Sequence, residues 1–210
     1  KKLVDIVLHA GQDKAATFNE KPGFKSYLFQ AFSGMPVEAW NPVHRRPKLT
    51  LGLIASLVII FILQLFWDGF YQALVLHPKN FLAGIESWQL VTAGFLHLNL
   101  AHLLGNLYFL YIFGDNIEDH VGRIKFCFIY ASALIVSNLA FVLVRSDIET
   151  GIVGASGAIA GLMGAYIVIF PKLKLYLNLF FIPIRLSVFW YLSFWFGMNL
   201  IMFNLGNGGV

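Results

Sequence analysis

Five stretches of the chain are almost entirely apolar, and none of them contains Asp, Glu, Lys or Arg. A helix that crosses a lipid bilayer needs about 20 mostly apolar residues. The pattern therefore predicts five spans, with an odd number placing the chain ends on opposite sides of the membrane. They are Leu49–Trp67, Leu98–Gly114, Phe126–Val144, Ile152–Phe170 and Leu186–Phe203. We expect an all-α, polytopic bundle of transmembrane helices.

The composition supports a membrane protein and excludes several other classes. Hydrophobic residues make up 58% of the 210 residues and charged residues 12%, against about 45–50% and about 25% in soluble domains. Too little polar surface is left for a water-soluble protein, and a nucleic-acid partner is not expected. The single Cys127 excludes an intrachain disulfide framework and a cysteine-based zinc site.

The basic residues are distributed unevenly between the segments that separate the spans. Thirteen of the 15 Lys and Arg residues lie in segments 1–48, 115–125 and 171–185, while Lys79 and Arg145 lie in the opposite loops. Because basic residues accumulate in cytoplasmic loops, the N-terminus is predicted to be cytoplasmic. A bacterial inner membrane suits this topology and the short N-terminal segment best, and an organelle membrane is the alternative.

Two domains follow from this organisation, a cytosolic segment with a proline-containing linker at 1–48 and a membrane domain at 49–210. The long external loop 68–97 is rich in aromatic residues, which settle at the depth of the lipid headgroups. We expect this loop, and segment 175–184 on the inner side, to lie in the membrane interface.

One polar cluster falls within the second span and its entrance. His102 and Asn106 are four residues apart and share a helix face, and His97 precedes them. Polar side chains inside spans favour a function. However, imidazole and amide groups also hydrogen-bond across transmembrane helices, so packing remains an alternative. Metal binding is a weaker alternative, because no carboxylate, cysteine or HExxH motif accompanies the pair.

A second cluster, Gly154-Ala155-Ser156-Gly157, opens the fourth span and continues to Gly161. Small residues let transmembrane helices approach closely, so packing alone explains the glycines. The topology favours an additional role, since Ser156 and His102 both lie about 6 Å inside the outer ends of their spans. Free N–H groups and the positive dipole end at the start of a helix favour an oxyanion. A nucleophile beside preorganised donors is the arrangement that acyl transfer needs.

These residues resemble the motifs of the rhomboid family of intramembrane serine proteases. The matching segments are WQLVTAGFLHLNLAHLLGNLYFLYIFGDNIEDHVG from Trp88 and GASGAIAGLMG from Gly154, and the likeness covers about residues 49–210. The resemblance implies Ser156 as nucleophile, His102 and Asn106 as oxyanion donors, and His97, Gly154 and Gly157 as further motif residues. It implies no metal or cofactor, and transmembrane proteins cut near the outer end of their span as substrates.

Two positions depart from the family pattern. The external loop reads Trp88-Gln89 where the family usually has Trp-Arg, which we expect to weaken a loop contact. The family's general base is a His on a sixth span, reached through a glycine-rich loop that residues 207–210 resemble. We therefore expect the native protein to continue into a sixth helix, and the 210-residue chain alone to be nearly inactive, since a serine needs a base.

Three classes of function remain open on these grounds. The favoured one is a serine endopeptidase. The alternative is a non-catalytic rhomboid-like protein that binds transmembrane clients, against which the intact Ser156 argues. A transporter or channel would call for charged pore residues in several spans or for inverted repeats, and neither is present. The oligomeric state stays open.

Overall fold

The structure is a computed structural model that describes residues 36–38, 43–44, 46–145, 151–179 and 182–205. Most of the predicted cytosolic segment 1–48 lies outside the described residues. Within them, the chain divides into a larger helical unit, residues 43–169 with 195–205, and a smaller unit, residues 36–38 with 170–194.

Five longer helices account for most of the described chain. Each of the five apolar stretches overlaps one of them, which confirms the predicted all-α membrane bundle as the main architecture. The five longer helices are α1 (Lys48–Phe66), α5 (Leu100–Val121), α6 (Arg123–Val144), α7 (Ser156–Ile169) and α8 (Val188–Leu205). Three short helices lie in the loop after α1, and they are α2 (Asp68–Leu74), α3 (Pro78–Leu82) and α4 (Gln89–Thr92).

Length and composition separate these helices into two groups. Among the described residues, α1 and α6 are long and apolar enough to cross a membrane, and a third span results if α4 and its 3-10 extension are counted with α5 across a 94° bend. Helix α7 and the Val188–Ile201 part of α8 are shorter apolar helices. The number of five spans therefore stays a prediction.

The predicted span Ile152–Phe170 is longer than the helix that forms there. Helix α7 has 14 residues, or about 21 Å at the rise of an α-helix. The backbone of Gly154 has φ +124°, a conformation that glycine alone adopts readily and that cannot belong to a helix. The helix consequently starts at Ser156 rather than at Ile152.

The loop between α1 and α5 is folded into short helices that pack against α6 and the start of α7. Leu76 forms an antiparallel bridge with Ile152, and Leu76, Ala93 and Val142 form a buried apolar cluster. Gln89, where a weakened contact was expected, is fully buried, and its amide donates to the Glu86 carboxylate at 2.8 Å. An uncharged amide can thus fill this position and hold the loop.

Helix α1 runs antiparallel to α5 and is bonded to that part of the chain at both ends. At one end the buried carboxylate of Glu118 accepts hydrogen bonds from the backbone N–H groups of Leu49 and Thr50 and from the Thr50 hydroxyl, at 2.8–3.1 Å. At the other end the Gln64 amide donates to the carbonyl of His97 and accepts from its N–H. The first N–H groups of a helix lack partners within it, so Glu118 caps α1.

The smaller unit contains a sheet, which the all-α prediction did not include. Its three antiparallel strands, in the order β1-β2-β3, are β1 (Val37–Glu38), β2 (Lys174–Leu179) and β3 (Ile182–Ser187). The segment 175–184 that was expected to follow the membrane interface is therefore part of a β-hairpin.

Candidate active site

Polar side chains from two helices meet at a cavity of about 200 Å³ in the larger unit. Helix α5 contributes His102 and Asn106, and α7 contributes Ser156. The remaining wall is apolar or aromatic and includes Phe109, Met163 and Trp195, and the rings of Phe109 and Trp195 are 5.9 Å apart. The structure thus brings together the three residues that the sequence singled out from separate clusters.

Ser156 is the first residue of α7 and is exposed at the cavity. The preceding turn is held by the N–H of Gly154, which donates to the Ala93 carbonyl at 2.9 Å. The first N–H groups of α7 have no acceptor within the helix, and they carry the positive end of the helix dipole. The hydroxyl of Ser156 therefore lies beside groups that would stabilise a negative oxygen.

His102 lies directly against this turn. A Cβ atom added at Gly154 would be 2.8 Å from His102 Cε1, 3.0 Å from His102 Nε2 and 3.7 Å from Ser156 Oγ. The imidazole and the hydroxyl are therefore both within 4 Å of one point. The lack of a side chain at Gly154 is what allows the ring to approach the start of α7.

Helix α5 is built so that its polar residues face the cavity from the first two turns. Asn99 caps the helix, and its side-chain oxygen accepts from the His102 N–H at 2.8 Å. One N–H of the Asn106 amide is donated to the His102 carbonyl at 2.9 Å. The amide group carries a second N–H, which can serve a group bound in the cavity.

His97 lies behind His102 rather than in the cavity wall. Its side chain is fully buried, and the two imidazole rings pack edge to face with their centroids 5.1 Å apart. Two hydrogen bonds between the Gln64 amide and the His97 backbone fix the loop that carries His97. Gln64 was not identified from the sequence, although a lone amide in an otherwise apolar span is a usable signal.

The glycines after Ser156 allow close helix packing, as the packing interpretation of this motif predicted. A Cβ atom added at Gly157 would overlap the side chain of Ser137, and one added at Gly161 would overlap the Cβ of Ala133. Both partners are on α6, so the small residues let α6 and α7 approach closely. Packing and a reactive serine are thus compatible interpretations of one motif, because they use different faces of α7.

The described residues contain no group of three or more His, Cys, Asp or Glu side chains that could hold a metal ion. Cys127 is a free, exposed thiol on α6. The chemistry available at the cavity is therefore that of a hydroxyl, an imidazole, an amide and the N–H groups of a helix start.

Comparison with known proteins agrees with a bundle of membrane helices. The profile of the Rhomboid domain matches residues 84–207, more than half of the chain. The chain belongs to the rhomboid family.

Several relatives share sequence with the chain. RHOMBOID-like protein 12, mitochondrial, of Arabidopsis thaliana is 25% identical over 213 residues, which cover 89% of this chain and 60% of the relative. A Bacillus subtilis (strain 168) protein, YdcA, whose name assigns it provisionally as a rhomboid protease, is 36% identical over 41% of this chain and 43% of its own length. The human presenilin-associated rhomboid-like protein, mitochondrial, is 27% identical over 65% of this chain and 36% of its own length. The chain thus spans between about a third and three fifths of the length of these relatives.

Proposed function

We propose that this protein is an intramembrane serine endopeptidase in which Ser156 is the nucleophile. The observation that carries the proposal is the shared cavity of Ser156, His102 and Asn106, with Ser156 at the start of α7. Membership of the rhomboid family supports a protease-like role, and the name of the Bacillus subtilis relative points to the same activity.

In the proposed reaction the Ser156 oxygen attacks the scissile carbonyl carbon, and the hydroxyl proton passes to a general base. By the family resemblance that base is a His on a sixth helix after Val210. The carbonyl oxygen becomes an oxyanion, which accepts hydrogen bonds from the Ser156 N–H, the free N–H of Asn106 and the His102 ring. Collapse of the intermediate breaks the peptide bond, and the base gives its proton to the leaving amine. The ester that remains on Ser156 is hydrolysed by water through the same steps, which restores the hydroxyl.

The proposed substrates are single-pass membrane proteins, cut near the end of their span on the side opposite the basic loops. The cavity wall includes Phe109, Trp195 and Met163, which suit an apolar segment that arrives from the bilayer. The protein is a membrane protein, and we propose a cell inner membrane with the N-terminus in the cytoplasm. Relatives named as mitochondrial make a mitochondrial membrane the other candidate.

Labelling by a fluorophosphonate probe tests the nucleophile. We expect the full-length protein to be labelled covalently and Ser156→Ala to lose the label. Ser137→Ala is the matched control, because Ser137 contacts Gly157 but does not line the cavity. Labelling of Ser156→Ala at the wild-type level would overturn the proposal. No labelling of the wild type, together with retained binding of a transmembrane peptide, would favour the non-catalytic client-binding alternative.

Comparing alanine variants of two asparagines tests whether Asn106 is an oxyanion donor or only a packing residue. Asn106 and Asn138 are equally buried, and Asn138 on α6 donates to the Leu90 carbonyl at 2.8 Å. Asn106→Ala should lower kcat by roughly 10-fold or more, since loss of one donor costs about 10²–10³-fold in a soluble protease and other donors remain here. Asn138→Ala should lower the melting temperature and leave kcat per folded molecule unchanged. Equal effects of the two variants on kcat would remove Asn106 from the site.

A further inference from the structure

The hairpin of β2 and β3 separates apolar from polar side chains. The strands pair in the register Leu175↔Leu186, Tyr176↔Arg185 and Leu177↔Ile184. Paired residues share a face of a sheet and successive residues alternate between faces. One face therefore carries Leu175, Leu177, Ile182, Ile184 and Leu186, and the other carries Lys174, Tyr176, Arg185 and Ser187.

The aliphatic face is covered at the base of the hairpin and open towards its tip. Leu175 is 0% exposed, whereas Ile184 is 36% exposed and Ile182 is 64% exposed. The strands are connected through Phe180-Phe181 in the sequence, residues that lie outside the described part of the chain. Apolar residues that gather on one exposed face indicate a surface that binds something apolar.

The opposite face is basic where it reaches solvent. Lys174 and Arg185 are exposed, and the Arg185 guanidinium lies 4.9 Å from the centre of the buried Tyr176 ring. The guanidinium itself therefore contacts the ring on one side, while the Arg185 residue as a whole stays exposed. This charge can pair with anionic groups.

The hairpin is joined to a membrane helix without an intervening loop. Ser187 ends β3 and Val188 begins α8, and the Val188 N–H donates to the Leu173 carbonyl at 2.7 Å, which closes the base of the hairpin. Trp190, in the first turn of α8, is 65% exposed. Tryptophan is enriched at the boundary between the hydrocarbon and water.

We infer that the aliphatic face of this hairpin is a lipid-binding surface on the side of the membrane where the basic loops gather. Ile182 and Ile184 enter the acyl-chain region of that leaflet, while Lys174 and Arg185 bind the phosphates of anionic lipid headgroups. Lipid is the occupant because the chain runs from β3 directly into the apolar helix α8 and because the neighbouring charge is positive. An element that is apolar on one side and basic on the other lies in the interface plane, and each basic residue near such a surface attracts anionic lipid.

Site-specific fluorescence in lipid nanodiscs tests this surface. In the full-length protein every native cysteine, Cys127 among them, is replaced by serine. One new cysteine is then introduced, Ile182→Cys or the control Lys172→Cys in the exposed turn before β2, and is labelled with the polarity-sensitive dye NBD. The nanodiscs contain phosphatidylcholine and phosphatidylglycerol in equimolar amounts, with and without lipid brominated on the acyl chains. Iodide in the buffer reports exposure to water.

We expect brominated lipid to quench the label at position 182, and iodide to quench that label less than the label at position 172. Ile184→Cys should behave like Ile182→Cys. Quenching of position 182 by iodide alone would place the face in water and overturn the inference. Protection from both quenchers would mean that protein covers the face, such as a second copy of the chain, and would also overturn it. If the label at position 182 is quenched equally in nanodiscs of pure phosphatidylcholine, the proposed binding of Lys174 and Arg185 to anionic headgroups would be overturned.

Discussion

At the scale of single residues, Gly154 meets two structural requirements that no other residue type meets together. Its φ of +124° turns the chain so that α7 starts at Ser156, and its missing side chain leaves room for the His102 ring. Gly164 lies within α7, and a Cβ atom added there would have open space around it. The two glycines therefore form a matched pair for mutagenesis.

Gly154→Ala is expected to lower the free energy of unfolding by about 1–3 kcal/mol, because alanine is strained at this φ. Its methyl group also meets His102, so turnover per folded molecule should fall as well. Gly164→Ala should leave turnover unchanged and raise stability by about 0.5–1 kcal/mol, since alanine favours a helix. Thermal unfolding in detergent and cleavage of a transmembrane substrate measure both effects. Equal turnover of the two variants would contradict the contact with His102.

At the scale of elements, α6 and α7 pack through small residues that face each other. Gly161 lies against Ala133, and Gly157 lies against Ser137 one turn away. Since lipid tails are as apolar as the helices, close packing rather than the hydrophobic effect holds such pairs together. The position of Ser156 consequently depends on the approach of α7 to α6.

A double-mutant cycle tests this contact. Gly161→Ala should cost about 1–3 kcal/mol, because its methyl group overlaps that of Ala133. Ala133→Gly alone should cost about 1 kcal/mol through its lower helix propensity. In the double variant the freed space accepts the new methyl group, so the melting temperature should exceed that of Gly161→Ala. Simple additivity of the two losses would show that the helices are not in contact at this point.

At the scale of the whole molecule, α1 is attached to the chain around α5 by polar contacts at each end. Glu118 binds the first N–H groups of α1, and Gln64 binds the backbone of His97. These contacts join residues that are 33 to 69 positions apart in the sequence. They fix the register of α1 against α5. They also hold in place the loop around His97 that leads to His102.

Glu118→Ala is expected to destabilise the protein by at least about 1–3 kcal/mol, because it leaves buried donors at the start of α1 without their acceptor. The neighbouring Asp119 is the control, since it pairs with the exposed His44. Asp119→Ala should cost less than Glu118→Ala, because the groups that donate to Asp119 belong to the exposed His44 and can bond to water instead. Melting temperatures in the same detergent compare the two. An equal loss for both variants would contradict the capping role of Glu118.

Much of the helical architecture could be predicted, because long apolar runs allow only one backbone structure in a bilayer. The hairpin at 174–187 was missed because the sequence Leu-Asn-Leu-Phe-Phe-Ile also fits an apolar segment at the interface, and the paired register that defines the strands is a contact between residues up to 13 positions apart. The start of α7 was predicted four residues too early, since apolarity continues through Ile152 while the φ of Gly154 prevents a helix before Ser156.

Apolar run length and motif spacing are local properties of the chain, so the sequence alone predicts a membrane helix bundle, shows the resemblance to the rhomboid family and points to the residues of interest. The folded structure adds that Ser156, His102 and Asn106 line one cavity, that Gly157 and Gly161 face α6, and that Gln64 holds the His97 loop. Each of these depends on helices separated by tens of residues. Their packing is set by contacts between side chains, which the order of residues along one helix does not reveal.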